Sequence, residues 1–178
     1  MQFGNITPTK LPTRYSGFTI VELLIVIVVI AILAAISLVA YTGVQNSAND
    51  AAVQSDIRNW ANILKVYEVE HEGLPQVGTE IGPQTASSLQ LKASRGAYDT
   101  SITYNVYICK AQNGESFGIA AKSKSGKIFA YNSSDGFIQY SGPIGGAGNS
   151  SSVWPAVTGS PFFLQLGYHS NSWGSWTE

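Results

Sequence analysis

The chain has 178 residues, of which 44% are hydrophobic and only 12% charged, about half the charged share of an ordinary soluble domain. A net charge of −1 excludes the basic excess of a general nucleic-acid binder, and a single cysteine, Cys109, excludes an intrachain disulfide and any multi-cysteine metal site. Eighteen glycines and seven prolines without a Gly-X-Y period exclude collagen.

In chain order, Lys10 and Arg14 come first, the only charges before Glu22. From Leu23 to Ile36 there are fourteen consecutive apolar residues, and Ser37 alone interrupts before Leu38-Val39-Ala40-Tyr41. As a helix, Leu23 to Tyr41 spans roughly 28 Å, close to the hydrocarbon thickness of a bilayer. The block is apolar all round, which predicts a membrane helix rather than a surface helix. Basic residues on its N-terminal side predict that the C-terminal part lies outside the cell membrane. An ordinary signal peptide has a shorter apolar region closed by a small-residue cleavage site; no A-x-A triplet closes this one. Glu22 is the residue that a plain anchor does not explain. A carboxylate within a spanning helix is costly, less so near its end, and such residues are candidates for function once a partner is named.

The string Gly17-Phe18-Thr19-Ile20-Val21-Glu22-Leu23-Leu24-Ile25-Val26-Ile27 resembles the N-terminal signature of type IV pilins and of the pseudopilins of type II secretion systems. The resemblance implies that a prepilin peptidase cuts after Gly17, releasing residues 1–17 as a leader. It implies methylation of the new N-terminus, Phe18, and a role for Glu22, fifth residue of the mature chain, in pairing with the terminal amine of a neighbouring subunit. Cleavage creates an α-amine with an ordinary pKa near 7.7–8.0. If the helix starts at Phe18, Glu22 shares a face with that amine, and a pair offsets the burial of the charge. Many pilins carry proline where Val39 stands; this chain has none between Pro12 and Pro75, and Gly43 with Asn46 and Ser47 is the nearest weak point.

Beyond the block the pattern becomes one-sided. Val53, Ile57, Trp60, Leu64 and Tyr67 are spaced as one buried stripe, with Asp50, Asp56, Arg58, Lys65, Glu68 and Glu70 between them. The helix is predicted to end near Glu72, with Gly73 in a left-handed cap and Pro75 soon after, which gives a spine of roughly 80 Å. A turn-rich loop follows to about Asp99, with a short helix around Ala86–Leu91. Alternation of Ile102, Tyr104, Val106 and Ile108 predicts a strand, and Phe117–Lys122 with Lys127–Asn132 a hairpin about Ser123–Gly126. Asn132–Gly136 reads as a turn into a short stretch, Phe137–Tyr140. Three or four antiparallel strands over the Trp60 stripe give an α+β class: a long N-terminal spine, half membrane-embedded, packed on a small sheet. Ser141–Ser152 is a low-complexity loop. The aromatic tail after it (Trp154, Phe162, Phe163, Tyr168, Trp173, Trp176) either folds back on the sheet or presents a contact surface.

No catalytic constellation assembles. Glu68, Glu70, His71 and Glu72 read as a solvated helix end rather than a metal site, and His169 has no companion motif. Gly145–Gly148 lacks the Lys-Ser/Thr of a phosphate-binding loop. Cys109, in a strand pattern, reads as a small buried hydrophobe. Lys122, Lys124 and Lys127 beside Phe129 and Tyr131 form a small basic and aromatic patch, read as edge protection rather than a nucleic-acid site. The expectation is a structural protein without metal or cofactor: leader 1–17, membrane and filament-core helix 18–42, amphipathic continuation 43–72, head 73–178. Its expected partners are further copies in a helical filament, a prepilin peptidase, inner-membrane assembly machinery, and lipid before assembly. Its expected course runs from a single-pass inner-membrane precursor to an extracellular filament. The alternatives are a secretion pseudopilin, or a monomeric anchored or secreted binding protein. Uses in the family include adhesion, motility, DNA uptake and protein export.

Overall fold

The computed structural model describes residues 17–75, 89, 91–111, 116–140, 142, 144, 172 and 173, together with the backbone of 162–166 and 168–169. Lys10 and Arg14 lie outside these residues, as do Trp154, Trp176, Gly145–Gly148 and most of the segments expected as a short helix at Ala86–Leu91 and a loop at Ser141–Ser152. The chain divides into two compact units, Met1–Tyr41 and Thr42–Glu178.

One helix, α1 (Ile20–His71), supplies elements to both units. In the first unit its side chains are exposed on every face, because a block without a polar stripe has no single side to bury. Its one polar interruption is satisfied locally: the Ser37 hydroxyl donates to the Leu33 carbonyl at 2.8 Å.

In the second unit, α1 buries the stripe. Val53, Ile57 and Trp60 are fully buried and Leu64 nearly so, while Tyr67 is half-buried and stacks on His71 with centroids 3.9 Å apart. The helix stops one residue earlier than its glycine suggested. Glu72, not Gly73, takes the left-handed conformation (φ +54°), and the Gly73 N–H donates back to the Glu68 carbonyl at 3.1 Å. That six-to-one bond is the signature of a Schellman cap, here built on a non-glycine residue.

The head is an antiparallel sheet of five strands: β1 (Val106–Lys110), β2 (Phe117–Lys122), β3 (Ile128–Asn132), β4 (Gly136–Ile138) and β5 (Phe162–Leu166), in the order β4-β3-β2-β1-β5. The hairpin β2–β3 turns through Ser123–Lys127, where the Ser123 N–H donates to Lys127 O at 2.8 Å and Gly126 sits at φ +92°, a conformation glycine adopts freely. The next turn ends on Gly136 at φ +80°, and β4 begins there rather than at Phe137.

The first strand differs more. It begins at Val106, not Ile102, because Tyr104 takes φ +59° and breaks the extended backbone. The phase of the alternation slips at that point. Val106 and Ile108 face the core that α1 covers, whereas Ile102 and Tyr104 pack with Tyr107 and Cys109 on the opposite face. That second face buries Tyr107, Cys109, Ala120, Ala130 and Ile144. With both faces covered, β1 and β2 read as near-continuous apolar runs.

Two elements exceed the expected three or four strands. β5 pairs antiparallel with β1 along five positions, from Val106 with Leu166 to Lys110 with Phe162. A separate ribbon joins β6 (Tyr168–His169) to β7 (Ser172–Trp173). Part of the aromatic tail therefore folds back onto the sheet.

Candidate functional site

The start of α1 is set by a reciprocal cap. Leu23 N donates to the Thr19 carbonyl at 3.3 Å as the first helical bond, which makes Thr19 the capping residue. The Thr19 Oγ1 accepts the Glu22 N–H at 3.2 Å, and the Glu22 carboxylate accepts both the Thr19 N–H at 2.9 Å and the Thr19 hydroxyl at 2.8 Å. Thr-x-x-Glu is the capping box, with each side chain satisfying a backbone donor of the other. The spacing lay in the sequence, directly before an apolar run, yet Thr19 did not stand out there beside the more conspicuous Glu22.

This geometry revises one step of the sequence reading. Gly17 and Phe18 precede the cap and are not helical. Phe18 therefore does not share a helix face with Glu22; it is an exposed residue, 86% accessible, on the non-helical approach. Gly17 and Phe18 are both exposed, in non-helical chain. Glu22 is itself exposed, and the apolar side chains from Ile20 to Val44 are about half to four-fifths exposed. Among the described residues, α1 is the one helix long and apolar enough to cross a membrane, and its apolar window has no cover from the rest of the chain.

Two carboxylates that looked like surface charges are buried anchors of the head. Asp50 accepts from the Ser125 hydroxyl and pairs with the Lys127 ammonium at 2.9 Å. Burial pushes its carboxyl up, but hydrogen bonds from Ser125, Lys127 and Ser123 and the Lys127 charge outweigh that, so it lies below the ordinary carboxylate range. Asp56 accepts from the Ser94 N–H at 2.7 Å, the Ser94 hydroxyl at 3.1 Å and the Tyr98 hydroxyl at 2.7 Å. Burial, then the Asp56 charge, pushes the Tyr98 phenol far up, so it stays a donor. Beside them Trp60 Nε1 donates to the Lys92 carbonyl at 2.7 Å. Both aspartates continue the stripe, three residues before Val53 and four before Trp60; helical spacing was the signal, and charge concealed it.

The lysine patch is dispersed. Lys122 pairs with Asp99 at 3.0 Å and Lys127 with Asp50, while Phe129 and Tyr131 pack toward the core. Cys109 is buried, and burial pushes its thiol well up, away from the reactive thiolate. His71 lies against Tyr67, with Nδ1 3.1 Å from the Tyr67 carbonyl. Among the described residues, no group of three or more His, Cys, Asp or Glu side chains could hold a metal ion.

The family described as the prokaryotic N-terminal methylation motif matches residues 12–38, spanning Gly17, Phe18, the capping box and the apolar block through Leu38. The head lies outside that match. No curated protein and no solved structure matches the chain.

Proposed function

We propose that this chain, which carries the N-terminal methylation signature of type IV pilins and pseudopilins, is a filament subunit made as a membrane precursor. The signature belongs to structural precursors cut by a prepilin peptidase, and it stands at the head of a membrane-capable helix joined to an α+β head. On this reading cleavage follows Gly17, Phe18 becomes the methylated N-terminus, and the apolar block serves first in a bilayer and then in a filament core.

The observation that carries the proposal is the exposure of that block. None of its apolar window is buried by its own chain, so lipid or neighbouring helices must cover it. Glu22, the one charge at its entrance, then needs a cationic partner wherever it is desolvated, and the amine of a neighbour's Phe18 supplies one. Glu22 is an assembly residue in this account. Val53, Ile57, Trp60, Leu64 and Tyr67 hold the head to the spine, and Lys10 and Arg14 orient the precursor.

The test is electron microscopy of surface filaments from cells making the chain or its Glu22→Ala variant. The variant is expected to insert and lose its leader normally but to yield few or no filaments. Normal filaments from Glu22→Ala would contradict the assembly role, and a chain found only as a monomer in the membrane would support the anchored binding protein instead.

A further inference from the structure

Two cations of α1 are held over aromatic rings of the sheet. The Arg58 guanidinium lies 5.0 Å from the centre of the Phe137 ring and the Lys65 ammonium 5.8 Å from that of Tyr131. They stand seven residues apart, two turns along one helix face, or roughly 10 Å by the rise per residue. The two rings are register partners on neighbouring strands, Tyr131 on β3 and Phe137 on β4, and they meet edge-on at 5.5 Å. A ring orients a cation without cancelling its charge, and a guanidinium stacked on a ring keeps its N–H edge for a carboxylate. Both cations are exposed, and neither pairs with a carboxylate among the described residues. Phe137 is itself 37% exposed, so this surface is basic and apolar together.

Its complement lies further along the same helix. Glu70 and Glu72 are exposed and Glu68 half-buried, and none of the three forms an ion pair among the described residues. Lys65 stands three residues before Glu68, a spacing at which the two could pair, yet it lies over Tyr131 instead. Lys110, beside the close of the helix, donates to the Leu74 carbonyl at 2.8 Å. Val66 and Val69, 56% and 83% exposed, add apolar surface that their own chain leaves uncovered. This second surface is acidic and apolar together.

We infer that these two surfaces meet between successive copies of this chain, Glu68, Glu70 and Glu72 of one head docking on Arg58 and Lys65 of the next. This contact rests on the filament reading, which leaves open how the heads join. Two different patches of one molecule make a heterologous contact, and one that does not close produces an open filament. The middles of the two patches are roughly 13 Å apart along α1 by the rise per residue, so copies lying parallel meet with about that axial offset. Charge also sets the direction of addition: like patches brought together repel, and unlike patches attract.

Filaments of the full chain purified from cells and treated with a carbodiimide, which joins an amine directly to a carboxylate, test the contact. Covalent multimers are expected on a denaturing gel, with Lys65 linked to Glu68, Glu70 or Glu72 in the digested dimer. Lys65→Arg, which keeps the charge and removes the amine, is expected to lower the multimers formed per filament at least about fivefold. Glu70→Lys combined with Glu72→Lys is expected to lower filament yield in electron microscopy about tenfold, with unchanged amounts of processed chain on immunoblot, as like charges meet. Multimers that persist in Lys65→Arg filaments, none in the parent, or normal filaments from the acid-reversed chain would each overturn the contact and leave the filament reading intact. If the unaltered chain makes no filament in the same cells, both readings fall together.

Discussion

Thr19 and Glu22 meet two demands at one helix end. The capping box satisfies backbone donors that would otherwise be orphaned at the helix start, and in the proposed filament it would keep a carboxylate where an incoming amine can reach it. Thr19→Ala removes the hydroxyl and is expected to cost about 1 kcal/mol at this terminus. Amide exchange at Ile20–Leu23, measured on the chain in detergent micelles, should quicken by roughly fivefold, while Thr19→Ser should stay near the parent rate. Unchanged exchange in Thr19→Ala would show that the cap does not hold the helix start. At the other terminus Glu72 occupies a left-handed conformation that a side chain adopts at about 1–2 kcal/mol. Glycine relieves that strain but loses entropy on ordering. Glu72→Gly is therefore expected to stabilise the head by up to about 1 kcal/mol in denaturant unfolding; a destabilised variant would contradict the cap.

Between elements, a few polar contacts decide how the sheet sits on its helix. Asp50 ties α1 to the β2–β3 turn, and Asp56 with Trp60 ties it to residues 92–98. Asp50 and Asp99 both lie below the ordinary carboxylate range; burial raises each, and bonds from Ser125 and Lys127, or from Ser101 and Lys122, outweigh it. The sign follows from linkage. Depressed folded values mean that the stabilisation is complete above the unfolded value near pH 4 and disappears as pH falls through the folded values. Unfolding of the head is expected to be pH-independent with respect to these groups from about pH 5 to 7 and to ease steeply below about pH 4. Asp50→Asn should flatten that acid limb and destabilise at neutral pH by about 2 kcal/mol. An unchanged acid limb would remove Asp50 from the latch. A second tie closes the chain's far end: the Trp173 ring meets Tyr98 edge-on at 5.5 Å, with the Arg95 guanidinium 6.0 Å above it. Trp173→Ala is expected to cost about 2–3 kcal/mol and to release β6–β7 to proteolysis before the rest of the head unfolds. Simultaneous cleavage and unfolding would show that the ribbon is not a separate clasp.

The elements most legible in the amino-acid order were those governed by neighbours in sequence. The apolar block, the stripe at Val53, Ile57, Trp60 and Leu64, and the turn ending on Gly126 follow from local spacing and backbone preference, and the helix and hairpin lie where those signals point. What stayed hidden depends on distant partners. Nothing near Asp56 announces that Ser94 and Tyr98 will solvate it, and nothing in Phe162–Leu166 announces pairing with β1, because that strand's register is set by residues more than fifty positions away. The left-handed residues escaped as well: Tyr104 packs against the second face of the sheet, and at Glu72 the cap forms on the residue before the glycine. At the N-terminal site, the residue types were readable and the helix start was not, so Phe18 moved from the helix to its approach.

At the scale of the whole molecule, the low charge and high apolar content divide between two units with different needs. The N-terminal unit leaves its apolar surface open, whereas the head buries both faces of its sheet. Such a chain is completed by what surrounds it. The account stands or falls on whether the leader is removed where the signature places the cut. Mass determination of the intact mature chain purified from cells is the most direct measurement. The account predicts a chain that begins at Phe18 with one methyl group on its amine. A mature chain that still begins at Met1, or one cut near Ala40 as by ordinary secretion, would contradict it.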